Sequence, residues 1–324
     1  MKVPEIKHKR AAAYLGMLVI LLLWGTTPVL NKKIISSYSP ALMIGLRATV
    51  AAAFVGAVAG KRLKALDRSY LKTAGVSGAA LGLAYVVQTV GLQYTTPAKS
   101  AFLENVSCIV VPIVLFFATK KRISVFQLLS ALVCLAGVGV LSFDGNAQGL
   151  FSFGAGELLS CLGGVLYGVN IALMGVFGKD KNALVYAFVQ MLAVAAAGLF
   201  YAFLFEEMRF SLAPTDLLLL VYLGVIPTGL SWILRSVCQK YVNAAVVGVI
   251  MPFSAVITGV TSALCGEDTF GPSLFLGGTL CVSAIVLSEA GETLRENGKS
   301  IKNNENDPFR PCVNEKNVLK YKKE

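Results

Sequence analysis

A chain of 324 residues with a mean hydropathy of +0.69, 56% hydrophobic and 15% charged residues cannot cover itself in water; soluble domains carry about 25% charged residues. The net charge of +11 would suit a nucleic acid, yet the basic residues stand in short clusters between apolar runs and at the two ends. That pattern belongs to loops facing anionic lipid headgroups, so the expected partner is the lipid bilayer and no nucleic acid.

The opening MKVPEIKHKR is followed by an apolar run that continues through Trp24 and Thr27 to Asn31. It has no convincing small-residue cleavage site and reads as a retained first span. Candidate spans lie near 12–31, 39–59, 73–93, 97–118, 124–142, 153–176, 183–204, 214–235, 243–264 and 271–289. Each is close to the roughly 20 residues that cross a hydrocarbon core. The expected fold is an all-α polytopic membrane protein with ten transmembrane helices. The expected organisation is a cytoplasmic N-terminal segment (1–11), a five-helix repeat (12–142), a connecting loop (143–152), a second five-helix repeat (153–289) and a polar tail (290–324) that should be disordered.

Ten spans put both termini on one side, and the charges agree. That side receives the N-terminus, GKRLKALDRSYLK, KKR at 120–122, KDK at 179–181, the Arg235/Lys240 region and the tail, which together hold most of the 29 Lys and Arg residues. The other side receives Lys32, Lys33, Lys99 and Arg209 against Asp144, Glu206, Glu207, Glu267 and Asp268. The expectation is a multi-pass plasma-membrane protein with cytoplasmic N- and C-termini.

The halves echo one another. LLLWG at 21–25 resembles GVLYG at 164–168, and Gln93/Ala98 recurs at the same spacing as Gln239/Ala244. Five helices is an odd number, so the second unit is expected to be inverted, a plan common among secondary transporters. With these echoes go WGTTPVLNK, SPALMIGLRAT, GLQYTTPAKSAFLENVSCIVVP and YVNAAVVGVIMPFSAVITGVTSALCGE. Together they resemble the EamA-type branch of the drug/metabolite transporter superfamily over roughly residues 12–289. The resemblance implies ten helices in two inverted repeats, a central substrate cavity and, usually, export of metabolites or drugs. The chain departs from the pattern at Pro252, which is displaced from the usual proline position and leaves Ser254 there. It departs also at Lys121, where many members have Glu, and at Glu104-Asn105, where smaller residues are common.

Enzyme readings fail on inventory. Gly75-Val76-Ser77-Gly78 matches an intramembrane protease pattern, but the sole histidine, His8, stands in the N-terminal segment; a serine nucleophile needs a nearby base. There is no metal-ligand cluster and no Walker loop, so neither a metal nor another cofactor is expected, and uphill transport would need an ion gradient or a partner. Cys108, Cys134, Cys161, Cys238, Cys265 and Cys281 read as small packing residues, and Cys312 lies in the tail. Gly56/Gly60, Gly78/Gly82 and Gly164/Gly168 read as helix-packing pairs.

Polar and aromatic residues at helical spacing remain. Trp24, Thr27, Asn31, Tyr85, Gln88, Glu104, Asn105, Tyr167, Asn170, Thr228, Trp232 and Ser254 are the candidate substrate-cavity residues, with interhelical hydrogen bonding as the competing role. Arg47 and Glu104 fall at nearly equal depth in spans two and four and could form an ion pair. Glu104 has three readings: structural counter-ion, substrate ligand or proton-coupling site. The expected function is a secondary transporter moving a small organic molecule outward by alternating access. The alternatives are uptake by the same fold, and a channel or non-transporting membrane scaffold.

Overall fold

A computed structural model describes residues 3–120, 124–141, 154–266, 272, 276–280, 282–284, 286–288 and 290–291. The chain divides into two units, Met1–Ser288 and Glu289–Glu324, and the helices below belong to the first. The connecting loop with Asp144, residues Lys121 and Cys281, and the tail from 292 onward with Cys312 lie outside the described residues.

The described residues are helical, with no strand. The helices are α1 (Val3–Ile34), α2 (Pro40–Ala59), α3 (Arg68–Gly91), α4 (Pro97–Thr119), α5 (Val125–Leu141), α6 (Ala155–Phe177), α7 (Ala183–Phe205), α8 (Pro214–Cys238), α9 (Ala244–Ile250), α10 (Phe253–Leu264) and α11 (Leu276–Ser288). Among the described residues, eight stretches are long and apolar enough to cross a membrane, α9 and α10 together supplying one; α5 and α11 contain shorter apolar helices. The outer surface carries large apolar side chains, among them Leu15 at 65%, Phe117 at 65% and Phe203 at 75% exposure. Such a surface suits lipid and would aggregate in water.

Helix starts follow local chemistry. The Asp67 carboxylate accepts from the Tyr70 amide at 3.0 Å and starts α3 well before its apolar run. Asn182 caps α7 in the same way, and Pro40 and Pro214 open α2 and α8. Glu206, at the end of α7, accepts from the amides of Ala41 and Leu42 at the start of α2. A carboxylate there complements the positive end of the helix dipole.

α2 packs along α7, α3 along α6 and α7, α1 on α8 and α10, and α4 on α6, α9 and α10. Matching α1–α5 in order with α6–α11, with α9 and α10 counted as one, maps these pairings onto each other. The α3–α6 contact becomes α8–α1, the α4–α6 contact becomes α10–α1, and α2–α7 maps onto itself. Small residues make these approaches close. A Cβ on Gly198 would lie 2.6 Å from the Gly45 amide nitrogen, and one on Gly164 would lie 2.5 Å from the Glu104 carbonyl oxygen. Gly78 and Gly82 likewise press on α7, but Gly60 corrects the packing expectation: no atom approaches it, and its φ of 50° ends α2 in a conformation that glycine favours.

Two hydrogen-bond groups mark the ends of the bundle. At one end Lys32 donates to the carbonyls of Leu92 and Thr95, Thr95 donates to Glu157 at 2.9 Å, and Ser39 donates to the Glu207 carbonyl at 2.7 Å. At the other, the Asn182 amide donates to the Tyr70 hydroxyl at 2.8 Å, and Lys181 donates to Ser69. Thus α1 finishes at the end where α6 begins.

Three spans are interrupted. α4 tightens to a 3₁₀ turn at Glu104–Val106, and α9 and α10 are separated by a turn at Met251 and Pro252. By the Gln93/Gln239 register these two breaks occupy equivalent places in the two halves. α8 widens to a π segment at Gly224–Leu230, which contains Pro227. Proline has no N–H to donate to the carbonyl of Leu223; the Thr228 hydroxyl takes that place at 2.7 Å.

Candidate functional site

The interruptions surround a cavity of about 60 Å³. At roughly 10–15 Å³ per water in such terms, it holds a few waters. α1 supplies Trp24, Thr27, Pro28 and Asn31; α2 supplies Arg47; α3 supplies Tyr85, Gln88 and Thr89. α4 adds Ala101, Glu104, Asn105 and Ser107, while the second half adds Tyr167, Pro227, Met251, Ser254 and Thr258. Both halves therefore wall one space.

The aromatic wall is tied to the helix breaks. Trp24 donates its indole N–H to the Pro227 carbonyl at 2.8 Å, and Trp232 donates to the Tyr85 hydroxyl at 3.1 Å. The Trp24 ring lies 5.5 Å from Trp232 and 6.0 Å from Tyr167, centroid to centroid. Glu104 accepts from Gln88 Nε2 at 2.6 Å. Arg47 donates to Asn31 Oδ1 at 3.0 Å, with its guanidinium carbon 5.4 Å from the Tyr85 ring centre. No nitrogen of Arg47 lies within 4.0 Å of a Glu104 carboxylate oxygen. The expected Arg47–Glu104 pair is therefore not formed, because each group has a nearer neutral partner.

Nine of the expected cavity residues line it: Trp24, Thr27, Asn31, Tyr85, Gln88, Glu104, Asn105, Tyr167 and Ser254, with Arg47 beside them. Three do not. Asn170 is fully buried and donates to the Ser77 carbonyl at 2.7 Å, in a cluster with Tyr186 and Gln190. Thr228 serves the π segment of its own helix. Trp232 stands behind the wall at 0% exposure. Ser77, the serine of the protease-like pattern, is spent on the Asn170 cluster.

Arg235 reads two ways in the sequence. Four residues before Gln239, it counts with the charges of a span boundary and also falls on the polar stripe Thr228, Ser231, Trp232 and Arg235 of span eight; in the fold it is 0% exposed in the last part of α8. Its guanidinium carbon lies 4.2 Å from the Trp232 ring centre, 5.2 Å from Tyr167 and 5.9 Å from Trp24. Among the described residues its three nitrogens and the Tyr167 hydroxyl have no hydrogen-bond partner. A signal was present in the sequence: Arg235 lies one helical turn beyond Trp232 and Ser231, on the polar face of its span.

The EamA-like transporter family matches over residues 11–143 and 154–289. An uncharacterised transporter of Archaeoglobus fulgidus is 25% identical over 279 residues, 86% of either chain. The uncharacterised inner membrane transporter YhbE of Escherichia coli K12 is 24% identical over 186 residues, 55% of this chain and 56% of that protein. A solved crystal structure shares the fold at 21% identity, with a TM-score of 0.71 over 88% of this chain and 99% of the other.

Proposed function

The chain belongs to the EamA-like transporter family, and on that premise we propose that it is a secondary transporter exporting a small organic metabolite or drug across the plasma membrane by alternating access. In this reading the repeats are inverted five-helix units, residues 12–142 and 153–289. The eight long apolar stretches together with α5 and α11 make ten spans, and both termini are cytoplasmic. The carrying observation is the cavity walled by both halves at their interrupted helices. Interrupted helices at a repeat interface free polar backbone groups for a ligand, and rocking one repeat against the other exposes the same site to either side. A volume of about 60 Å³ suits a contracted state that must widen to admit an organic molecule. Among the described residues Glu104 is the one carboxylate in the wall, which supports a role in binding substrate or a coupling proton.

Untargeted comparison of metabolites in deletion and overexpressing cells tests this reading. Overexpression should deplete a small set from the cells and enrich it in the medium, and collapsing the proton gradient should stop any uphill component. Enrichment inside the cells would mean uptake. Downhill flux indifferent to the gradient would mean a channel, and identical metabolite profiles a scaffold.

A further inference from the structure

Arg235 brings a full charge into the bundle with no carboxylate in contact: Glu104 interacts with it only through space. Three aromatic rings surround its guanidinium, with Trp232 nearest at 4.2 Å. Rings attract the cation through their faces, yet they leave the N–H edges unanswered, and Nε, Nη1 and Nη2 have no acceptor. The Tyr167 hydroxyl beside it is also unpartnered. Buried arginines in membranes ordinarily meet a carboxylate or backbone carbonyls. A merely structural residue at this place would pack as well with an uncharged side chain.

The charges around the cavity do not balance. Arg47 and Arg235 are both buried, and Glu104, held by Gln88, is the only carboxylate in the wall among the described residues. The surplus is a single positive charge together with unused donors. Trp24 and Tyr167 belong both to the cavity wall and to the cage around Arg235. Turning either ring aside would join the guanidinium to the cavity.

We infer that Arg235, assisted by the Tyr167 hydroxyl, is the anion-recognition group of the transport cavity and that the substrate is a small organic carboxylate with one negative charge. This rests on the transporter reading and narrows its substrate class. A planar carboxylate can take two parallel N–H bonds from a guanidinium edge, the geometry that a caged arginine leaves open. One negative charge neutralises the surplus. A cation or neutral molecule would leave it uncompensated.

The chain has only two tryptophans, Trp24 and Trp232, and both flank Arg235, so intrinsic fluorescence reports on this site without a label. The probes are matched acid, amide and amine sets on butyryl, phenylacetyl and indole-acetyl frames, tested on the full chain in liposomes by counterflow, with the butyryl and phenylacetyl sets also read by fluorescence titration. At least one acid should give a saturable emission change and flux, while its amide and amine do not. Arg235→Gln should raise the half-saturating concentration of that acid at least tenfold, and Arg235→Lys should restore part of it. If Arg235→Gln fails to fold, the selectivity of the unaltered protein decides. Preference for an amide or amine, or no saturable response to any acid, would overturn the inference while transport itself stands on the metabolite comparison. Flux of none of the sets together with identical metabolite profiles would remove the transporter reading as well.

Discussion

Glu104 is held by an amide rather than by a cation, and this changes what its substitution should do. Stranding one member of a buried ion pair typically costs about 3–5 kcal/mol, but Arg47 is bonded to Asn31 and lies over Tyr85, so it loses no partner when Glu104 is neutralised. Glu104→Gln should therefore melt in detergent within about 1 kcal/mol of the parent while losing uphill transport, since amide still bonds to amide. Exchange that persists in this variant would assign Glu104 to proton coupling, and exchange that disappears would assign it to the substrate. A large loss of stability recovered by adding Arg47→Gln would reinstate the ion pair. Gln88→Leu, by contrast, removes a donor from a carboxylate and should cost about 1.5–3 kcal/mol. Trp24, Asn31, Gln88 and Glu104 were legible as interior groups because polar atoms in an apolar run are costly to leave facing lipid. That same cost is met at Asn170 and Thr228 by bonds to backbone carbonyls. Polarity alone therefore points to the interior without separating cavity from packing, and Arg235, although on the polar stripe of span eight, is ambiguous because charge at a span boundary is usually solvated.

The helices follow from apolar runs, and their interruptions are harder to read. No proline or glycine marks the turn at Glu104–Val106; it is set by tertiary contact, with Gly164 of α6 pressed against the Glu104 backbone. Pro227 sits within a run that reads as unbroken helix, and its π segment depends on the Thr228 hydroxyl occupying the Leu223 carbonyl. Two glycine substitutions separate contact from propensity. Gly164→Ala places a methyl 2.5 Å from a carbonyl oxygen that belongs to backbone and cannot swing away. It should cost about 1–3 kcal/mol, the usual range for overpacking, and impair flux by moving Glu104. Gly75→Ala meets nothing within 4 Å in the middle of α3 and should be neutral or stabilise by up to about 1 kcal/mol. Thermal melts and flux on the two variants check this, and equal melting temperatures would show that the α4–α6 approach is not a constraint.

Across the whole molecule, charge and hydrogen bonding describe the same two ends. Lys61, Arg62, Lys64, Arg68, Lys179 and Lys181 gather where α2 meets α3 and α6 meets α7, while Glu206 and Glu207 stand at the opposite end with Ser39 and Ala41. Removing Arg235 from the loop charges leaves this separation intact, so the expected orientation does not depend on that residue. In the proposed orientation the basic end is the cytoplasmic one, as the positive-inside rule expects. Cysteine chemistry can test the orientation with few changes. Cys108, Cys134 and Cys238 are buried, whereas Cys265, at the end of α10, is exposed; it was expected to pack, but its helix ends there and leaves it uncovered. An impermeant maleimide added to intact cells should label the protein through Cys265, and Cys265→Ser should remove that labelling. Leu212→Cys, in the exposed loop between α7 and α8, should restore it in the Cys265→Ser background. Cys312 should react only after the membrane is permeabilised. Labelling of Cys312 in intact cells, with Cys265 and the introduced Cys at 212 silent, would reverse the orientation and carry the basic loops to the outer face.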